Sequence, residues 1–98
     1  MKYEWDENKA VKNLAKHGVS FTERRTVFDD PIHVDFYDLD HSEDEERYLI
    51  VGKSNWGRLL IVSYTERREL IRIISAREVT KSEREAYEEG WIRTRRRP

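Results

Sequence analysis

Three apolar runs near the middle of the chain, separated by two short polar loops, define its predicted framework. The runs span residues 46–53, 58–65 and 70–77, and they are rich in Ile, Leu, Val and Tyr. Such runs with short polar connections predict an antiparallel meander of three β-strands. Most positions in the runs are apolar rather than strictly alternating, so we expect both faces of the sheet to be at least partly covered.

Cations at one end of this predicted sheet form a candidate anion site. If each loop closes a simple hairpin, Lys53 pairs with Arg58 and Thr65 pairs with Leu70, which also pairs Arg58 with Arg77. Strand alternation then places Lys53, Arg58 and Arg77 in one row on one face, where like charges destabilise the pairing unless an anion binds. The alternative is a solvated sheet end with splayed side chains or acidic partners, and a one-residue slip in either loop would scatter the row.

A helix over residues 7–17 is predicted before the meander. Asp6 is a favourable N-cap, and Gly18 is a favourable residue to end the helix. Its apolar positions, at helical spacing, are Val11, Leu14 and Ala15. The opposite face carries Lys9, Lys12 and Lys16, which either contact phosphate or form the wet side of an amphipathic helix.

Two capping boxes predict further helices. Ser20 to Glu23 opens a second helix over residues 21–28, which ends before Pro31. Thr80 to Glu83 opens a third helix through about residue 89. The expected core residues of these helices are Val27, Phe28, Ala86 and Tyr87.

Two shorter segments are predicted to be extended. Residues 32–37 alternate between apolar and polar side chains and predict a half-buried edge strand. Residues 3–6 are compatible with a short strand, with Trp5 as its buried anchor. A charged turn is expected over residues 38–45, and residues 91–98 form a basic tail that either follows a partner or nucleic acid or is a frayed end.

Composition narrows the class of protein. The chain has 98 residues, of which 37% are hydrophobic and 40% are charged, so we expect one small domain, 1–98, with a thin core. There is no cysteine, which excludes disulfides, thiolate zinc sites and cysteine catalysis. We find no apolar run of membrane-spanning length, no signal peptide, no EF-hand register and no zinc spacing. We therefore expect a soluble cytoplasmic protein without a metal or other cofactor.

The net charge of −1 conceals an asymmetry. Residues 29–46 hold nine acidic side chains and no Lys or Arg, so the remainder carries a surplus of eight positive charges. Such a surplus is typical of proteins that bind phosphate-rich ligands, although a mixed solvated surface is common in small domains.

Short motifs follow one another from Tyr3 to Tyr87, and together they resemble a known family. They are Tyr3-Glu-Trp-Asp6 with Lys9 and Asn13, Lys16-His-Gly-Val-Ser-Phe21, Val27-Phe-Asp-Asp-Pro31, His41-Ser with Glu46-Arg, Gly52-Lys-Ser54, Gly57-Arg58, Tyr64-Thr-Glu-Arg67 and Ile73-Ile-Ser-Ala-Arg77. Each motif is weak alone, but the ordered set is specific and resembles the BrnT toxins.

The resemblance implies a toxin of a type II toxin–antitoxin system that cleaves RNA. It implies an α+β, RelE-like fold in which N-terminal helices pack on a small antiparallel sheet that is followed by a C-terminal helix. It also implies a cognate, BrnA-like ribbon-helix-helix antitoxin, in a complex with two copies of each chain that represses its own operon. Mapped by motif, the candidate catalytic residues are Lys53, Arg58, Arg77, Glu46, Arg67 and His17.

Metal-independent cleavage of RNA needs a base for the 2′-hydroxyl, cations for the phosphorane and an acid for the leaving oxygen. Arg58 and Arg77 suit phosphate oxygens, and Lys53 is either an acid–base group or a third phosphate contact. Glu46 or His17 is a candidate base, and the helix C-terminus favours the charged form of His17, although a histidine there more commonly helps to end a helix.

Competing functions use the same residues. A non-catalytic module that binds nucleic acid would need the cations without the chemistry, and an inactive remnant would only bind a partner. Trp56, at a loop tip, is a candidate to stack on an unpaired base, to anchor an antitoxin or to pack locally.

Overall fold

A five-stranded sheet forms the centre of the molecule in the computed structural model, which describes residues 2–38 and 45–88. The strands are β1 (Lys2–Glu4), β2 (Val34–Tyr37), β3 (Tyr48–Lys53), β4 (Leu59–Arg67) and β5 (Leu70–Glu78). Their order across the sheet is β1-β5-β4-β3-β2. Most of the predicted acidic turn and all of the basic tail lie outside the described residues.

The central strands confirm the predicted meander. β3 pairs antiparallel with β4, and β4 pairs antiparallel with β5. β2 adds an antiparallel edge beside β3, but it begins at Val34 rather than at residue 32, because a turn that begins with Pro31 occupies residues 31–32. β1 runs parallel to β5, with Tyr3 opposite Ile71, an arrangement that the sequence did not predict.

The predicted first helix is present as α1 (Glu7–His17). The Asp6 carboxylate accepts hydrogen bonds from the amides of Asn8 and Lys9, and Gly18 ends the helix in the left-handed conformation at φ 69°.

The second helix is shorter than predicted. α2 spans Phe21–Arg25, and a turn of 3₁₀-helix, Thr26–Asp29, replaces the expected last α-helical turn. The Thr26 hydroxyl accepts a hydrogen bond from the Asn55 amide at 2.9 Å, which ties this tighter turn to the β3–β4 loop. α3 spans Lys81–Glu88.

Both faces of the sheet are covered, as the apolar runs predicted. On one face, a cluster that includes Val27, Ile50 and Leu60 packs beneath α1 and α2. On the other face, a smaller cluster that includes Leu59 and Tyr87 packs beneath α3. Trp5 and Phe28 were expected in the core, but they are only partly buried at the rim of the first cluster.

α1 is rotated relative to the prediction, so its expected apolar face does not contact the sheet. Val11 and Leu14 are 67% and 52% exposed, and Ala15 is also exposed. The buried residue is Asn13, whose amide nitrogen donates to the carbonyls of Val19 and Ala76 and whose oxygen accepts from the Ala76 amide. These two hydrogen bonds to Ala76 fix the rotation of α1 about its axis, because the buried amide and carbonyl of Ala76 would otherwise lack a partner, which costs free energy.

Candidate functional site

The hairpin registers differ from the predicted ones, so the predicted row of cations does not form. Lys53 lies opposite Leu59 rather than Arg58, because the β3–β4 loop contains five residues, 54–58, and turns through Gly57 at φ 82°. The second loop contains only Arg68 and Glu69, and it pairs Arg67 with Leu70.

The predicted placement of three cations on one face was also wrong. An irregularity between Ser63 and Tyr64 changes the β4–β5 register, and Arg77 lies opposite Ile61. Arg77 contacts α3, whereas Arg58 points to the other face and contacts α2. By strand alternation Lys53 shares the α3 side with Leu59 and Arg77.

Arg58 is the centre of a buried ion pair. Its Nε donates to Glu23 Oε2 at 2.9 Å, and its Nη2 donates to Glu23 Oε1 and to the Gly18 carbonyl, the latter at 2.9 Å. The Glu23 side chain is fully buried and accepts a third hydrogen bond from Ser54 Oγ at 2.7 Å. The Arg58 hydrogen bond lowers the pKa of Glu23, and Glu23 raises the pKa of Arg58. Glu23 therefore pairs with β4 rather than completing the predicted capping box.

Arg77 is also paired with a carboxylate. Its two terminal nitrogens donate to the two oxygens of Glu83 at 2.8 and 3.0 Å. The same carboxylate accepts from the Thr80 amide at 2.9 Å and completes the predicted capping box of α3. These donors, with Arg77 the largest contribution, hold the pKa of Glu83 at about 2.

Lys53 is exposed at the end of β3. Its amide donates to Asp30 Oδ2 at 2.7 Å, while its ammonium forms no ion pair within residues 2–38 and 45–88. His17, the last residue of α1, is half-buried and precedes the glycine that accepts a hydrogen bond from Arg58. Lys53, Arg58 and His17 thus belong to the hairpin end of the molecule.

Arg67 and Glu46 lie at the opposite end of the sheet. Arg67 Nε donates to Glu45 Oε2 at 3.1 Å, and the neighbouring Glu46 accepts from the Tyr48 hydroxyl at 3.2 Å. Arg58 immediately precedes β4, and Arg67 ends that strand nine positions later, a span of about 30 Å at about 3.3 Å per residue. The candidate catalytic residues therefore form two groups that cannot contact the same phosphate.

An open cavity of about 730 Å³ lies at the Arg67 end, between the β4–β5 turn and β1. It is lined by Lys2, Arg67, Arg68, Glu69 and Leu70. Arg68 adopts the left-handed conformation at φ 56°, which is unusual for a residue with a side chain. Sequence reasoning missed Lys2 and Arg68 as site residues, because only the parallel pairing of β1 with β5 brings them together. The one signal in the sequence for this site was the pair of adjacent arginines, Arg67 and Arg68, between two predicted strands.

Two general properties bear on cofactors and membranes. The described residues contain no group of three or more His, Asp or Glu side chains placed to hold a metal ion. Within the same residues, none of the helices has the length and apolar character to span a membrane.

Comparisons with known proteins place this geometry in a family. Residues 5–83 match the family model described as the ribonuclease toxin BrnT of type II toxin–antitoxin systems. The crystal structure of the Brucella abortus ribonuclease toxin BrnT is similar at 25% sequence identity, with a TM-score of 0.61 over 83% of this chain and 99% of that chain. No curated protein sequence gives a significant match. Because the family model covers most of the chain, the protein belongs to the BrnT family of ribonuclease toxins of type II toxin–antitoxin systems.

Proposed function

We propose that RNA is bound and cleaved in the cavity at the Arg67 end of the sheet. The observation that supports this location is the cavity near the β4–β5 turn, which is lined by three cationic side chains, those of Lys2, Arg67 and Arg68. Arg67 is 61% exposed, against 40% for Arg77 and 27% for Arg58, whose guanidinium is committed to a buried carboxylate. The guanidinium of Arg67 is paired with Glu45 but exposed, so it can also bind phosphate oxygens, whereas the guanidinium of Arg58 is held by a buried carboxylate and stabilises the fold.

The proposed chemistry is metal-independent transesterification. Glu46, beside the Glu45–Arg67 pair, accepts the proton of the ribose 2′-hydroxyl, and the 2′-oxygen attacks the adjacent phosphorus. Arg67 stabilises the negative charge that develops on the phosphorane oxygens. The 5′-oxygen then leaves and takes a proton from water, which reaches the open cavity, so the products are a 2′,3′-cyclic phosphate and a 5′-hydroxyl.

Other cations extend the proposed RNA path. Arg77 shares a sheet face with Arg67 by strand alternation, and its partner Ile61 lies six positions before Arg67 in β4, or about 20 Å away. Lys53 lies farther along the same face. We assign Arg77 and Lys53 to backbone phosphates away from the cleaved bond, and we assign no proton transfer to His17, which lies at the hairpin end.

The test compares Arg67→Met with Arg58→Met, the same substitution at the two ends of one strand. Arg67→Met should lower the rate of RNA cleavage about 10²–10³-fold at an unchanged melting temperature, as the loss of one transition-state donor does. Cleavage is measured on naked RNA in EDTA, and the product ends are identified. Full cleavage by folded Arg67→Met would refute the assignment, and salt-dependent RNA binding without any wild-type cleavage would indicate a non-catalytic module.

Family membership implies an antitoxin, and we propose that it is a cognate, BrnA-like ribbon-helix-helix protein, with two copies of each chain in the complex. The surplus of eight positive charges outside residues 29–46 supports an acidic partner for that part of the surface. We further propose that the chain acts as one domain in the cytoplasm. Co-expression with the adjacent reading frame, followed by measurement of the mass of the complex, tests the partner and its stoichiometry.

A further inference from the structure

The outer side of α1 carries apolar side chains that the fold does not use. Val11 and Leu14 lie one turn apart, 67% and 52% exposed, and Ala15 continues the same side. We call Val11, Leu14 and Ala15 the α1 stripe. A helix that packs on a sheet ordinarily turns such a stripe inward, and here the hydrogen bonds of Asn13 hold it outward.

One flank of the α1 stripe is basic. Helical spacing places Lys12 and Lys16 on adjacent turns next to Ala15, with Lys9 beyond them, and all three are exposed. The other flank passes into Ala10 and His17, which are partly buried against the body of the protein. The surface therefore offers an apolar centre with positive charge along one side.

Another exposed apolar residue, outside the α1 stripe, lies near the end of α1. Trp56 is 70% exposed at the β3–β4 loop, and the Arg58 guanidinium carbon lies 5.8 Å from its ring centroid. Arg58 also donates to the carbonyl of Gly18, the residue that ends α1. Arg58 thus connects the C-terminal end of α1 to Trp56. The stripe alone covers two helical turns, whereas a stable interface needs about 800 Å² on each partner, so an interface of that size must extend beyond α1.

We propose that the α1 stripe binds an amphipathic helix of the antitoxin, with apolar residues at its centre, Asp or Glu facing Lys12 and Lys16, and an end that contacts Trp56. This inference rests on the proposed antitoxin partner. The apolar centre favours a protein over RNA, since phosphate contacts need cations alone. A second copy of this chain fits poorly, because an isologous contact would bring the two sets of lysines together.

The experiment uses the full chain and the co-expressed product of the adjacent reading frame. Val11→Lys/Leu14→Lys should weaken binding about 30-fold or more, as loss of an interface hot spot does. Because both side chains are exposed, the melting temperature and RNA cleavage should not change. Lys12→Glu/Lys16→Glu should weaken binding and reduce its salt dependence, because the attraction to acidic residues is lost. Ser82→Lys, on exposed α3 surface, is the matched control and should bind as wild type.

The outcomes separate this inference from the proposed partner. If wild type binds the antitoxin and the stripe variant binds equally well, the docking site is refuted and the partner stands. If wild type does not bind the product of the adjacent frame, both are refuted. If the stripe variant loses RNA binding while antitoxin binding is retained, the surface belongs to RNA and the inference is overturned.

Discussion

Replacement of Arg58 by Met should strongly destabilise the protein. The substitution keeps much of the side-chain volume and removes the donors to a fully buried Glu23, which is left with the Ser54 hydroxyl as its remaining donor. Removal of one partner from a buried ion pair costs about 3–5 kcal/mol, and we take the lower end because Arg58 is itself 27% exposed. For a domain of this size, about 3 kcal/mol corresponds to a fall in melting temperature of at least about 12 °C.

The same substitution should also change how the melting temperature depends on pH. In the wild type, Arg58 lowers the pKa of Glu23 below its unfolded value of about 4.3, so the pair stabilises the protein at neutral pH and the effect is lost as pH falls below that value. In Arg58→Met, burial raises the pKa of Glu23 instead. Protonation then relieves the uncompensated charge, and the gap in melting temperature between variant and wild type should narrow between pH 7 and pH 4.

Thermal unfolding followed by circular dichroism measures both effects. Arg67→Met is the control, since the Arg67–Glu45 ion pair lies at the surface, where such pairs contribute little to stability. An Arg58→Met variant that melts within about 3 °C of wild type at pH 7 would refute the reasoning. So would a gap that widens as the pH falls.

Three further predictions concern stability. Asn13→Ala should lower the melting temperature, because it leaves the buried amide and carbonyl of Ala76 without their partner, and hydrogen exchange at that amide should accelerate. Arg24→Met should raise the melting temperature, since the fully buried Arg24 guanidinium has no hydrogen-bond partner among the residues that the structure describes, and Arg25→Met, at an exposed position, should leave it unchanged. Glu83→Gln should reduce stability at neutral pH, because the lowered pKa of Glu83 shows that its ionised form stabilises the fold. Wild type should lose this stability as pH falls from about 4.3 towards 2, and the variant should lose less over the same range. The same dependence of stability on pH in both proteins would contradict this.

The elements that depend on local chemistry could be predicted from the sequence. Asp6 and Gly18 fixed both ends of α1, because a cap involves only neighbouring residues. The meander followed from apolar runs and short loops. The helix rotation could not be predicted, since the contact that sets it joins Asn13 to Ala76 across most of the chain.

The registers of the two hairpins were predicted wrongly from the sequence. The first hairpin is displaced by one residue from the predicted pairing, and one residue moves a side chain to the other sheet face, so Arg58 contacts α2 instead of sharing a row with Lys53. Its counter-ion, Glu23, is 35 residues away, and no pattern near Arg58 indicates it. The capping-box spacing was the only signal for Glu23, and it indicated a different contact.

The parallel pairing of the first strand with the last has a consequence for synthesis. Lys2 leaves the ribosome well before its partner Leu70, which belongs to the strand that completes the sheet. Contacts this distant in sequence form only after the intervening chain has been made, and they slow folding. The cation-lined cavity therefore does not exist on a growing chain until the fifth strand has emerged, so a truncated product would lack this surface.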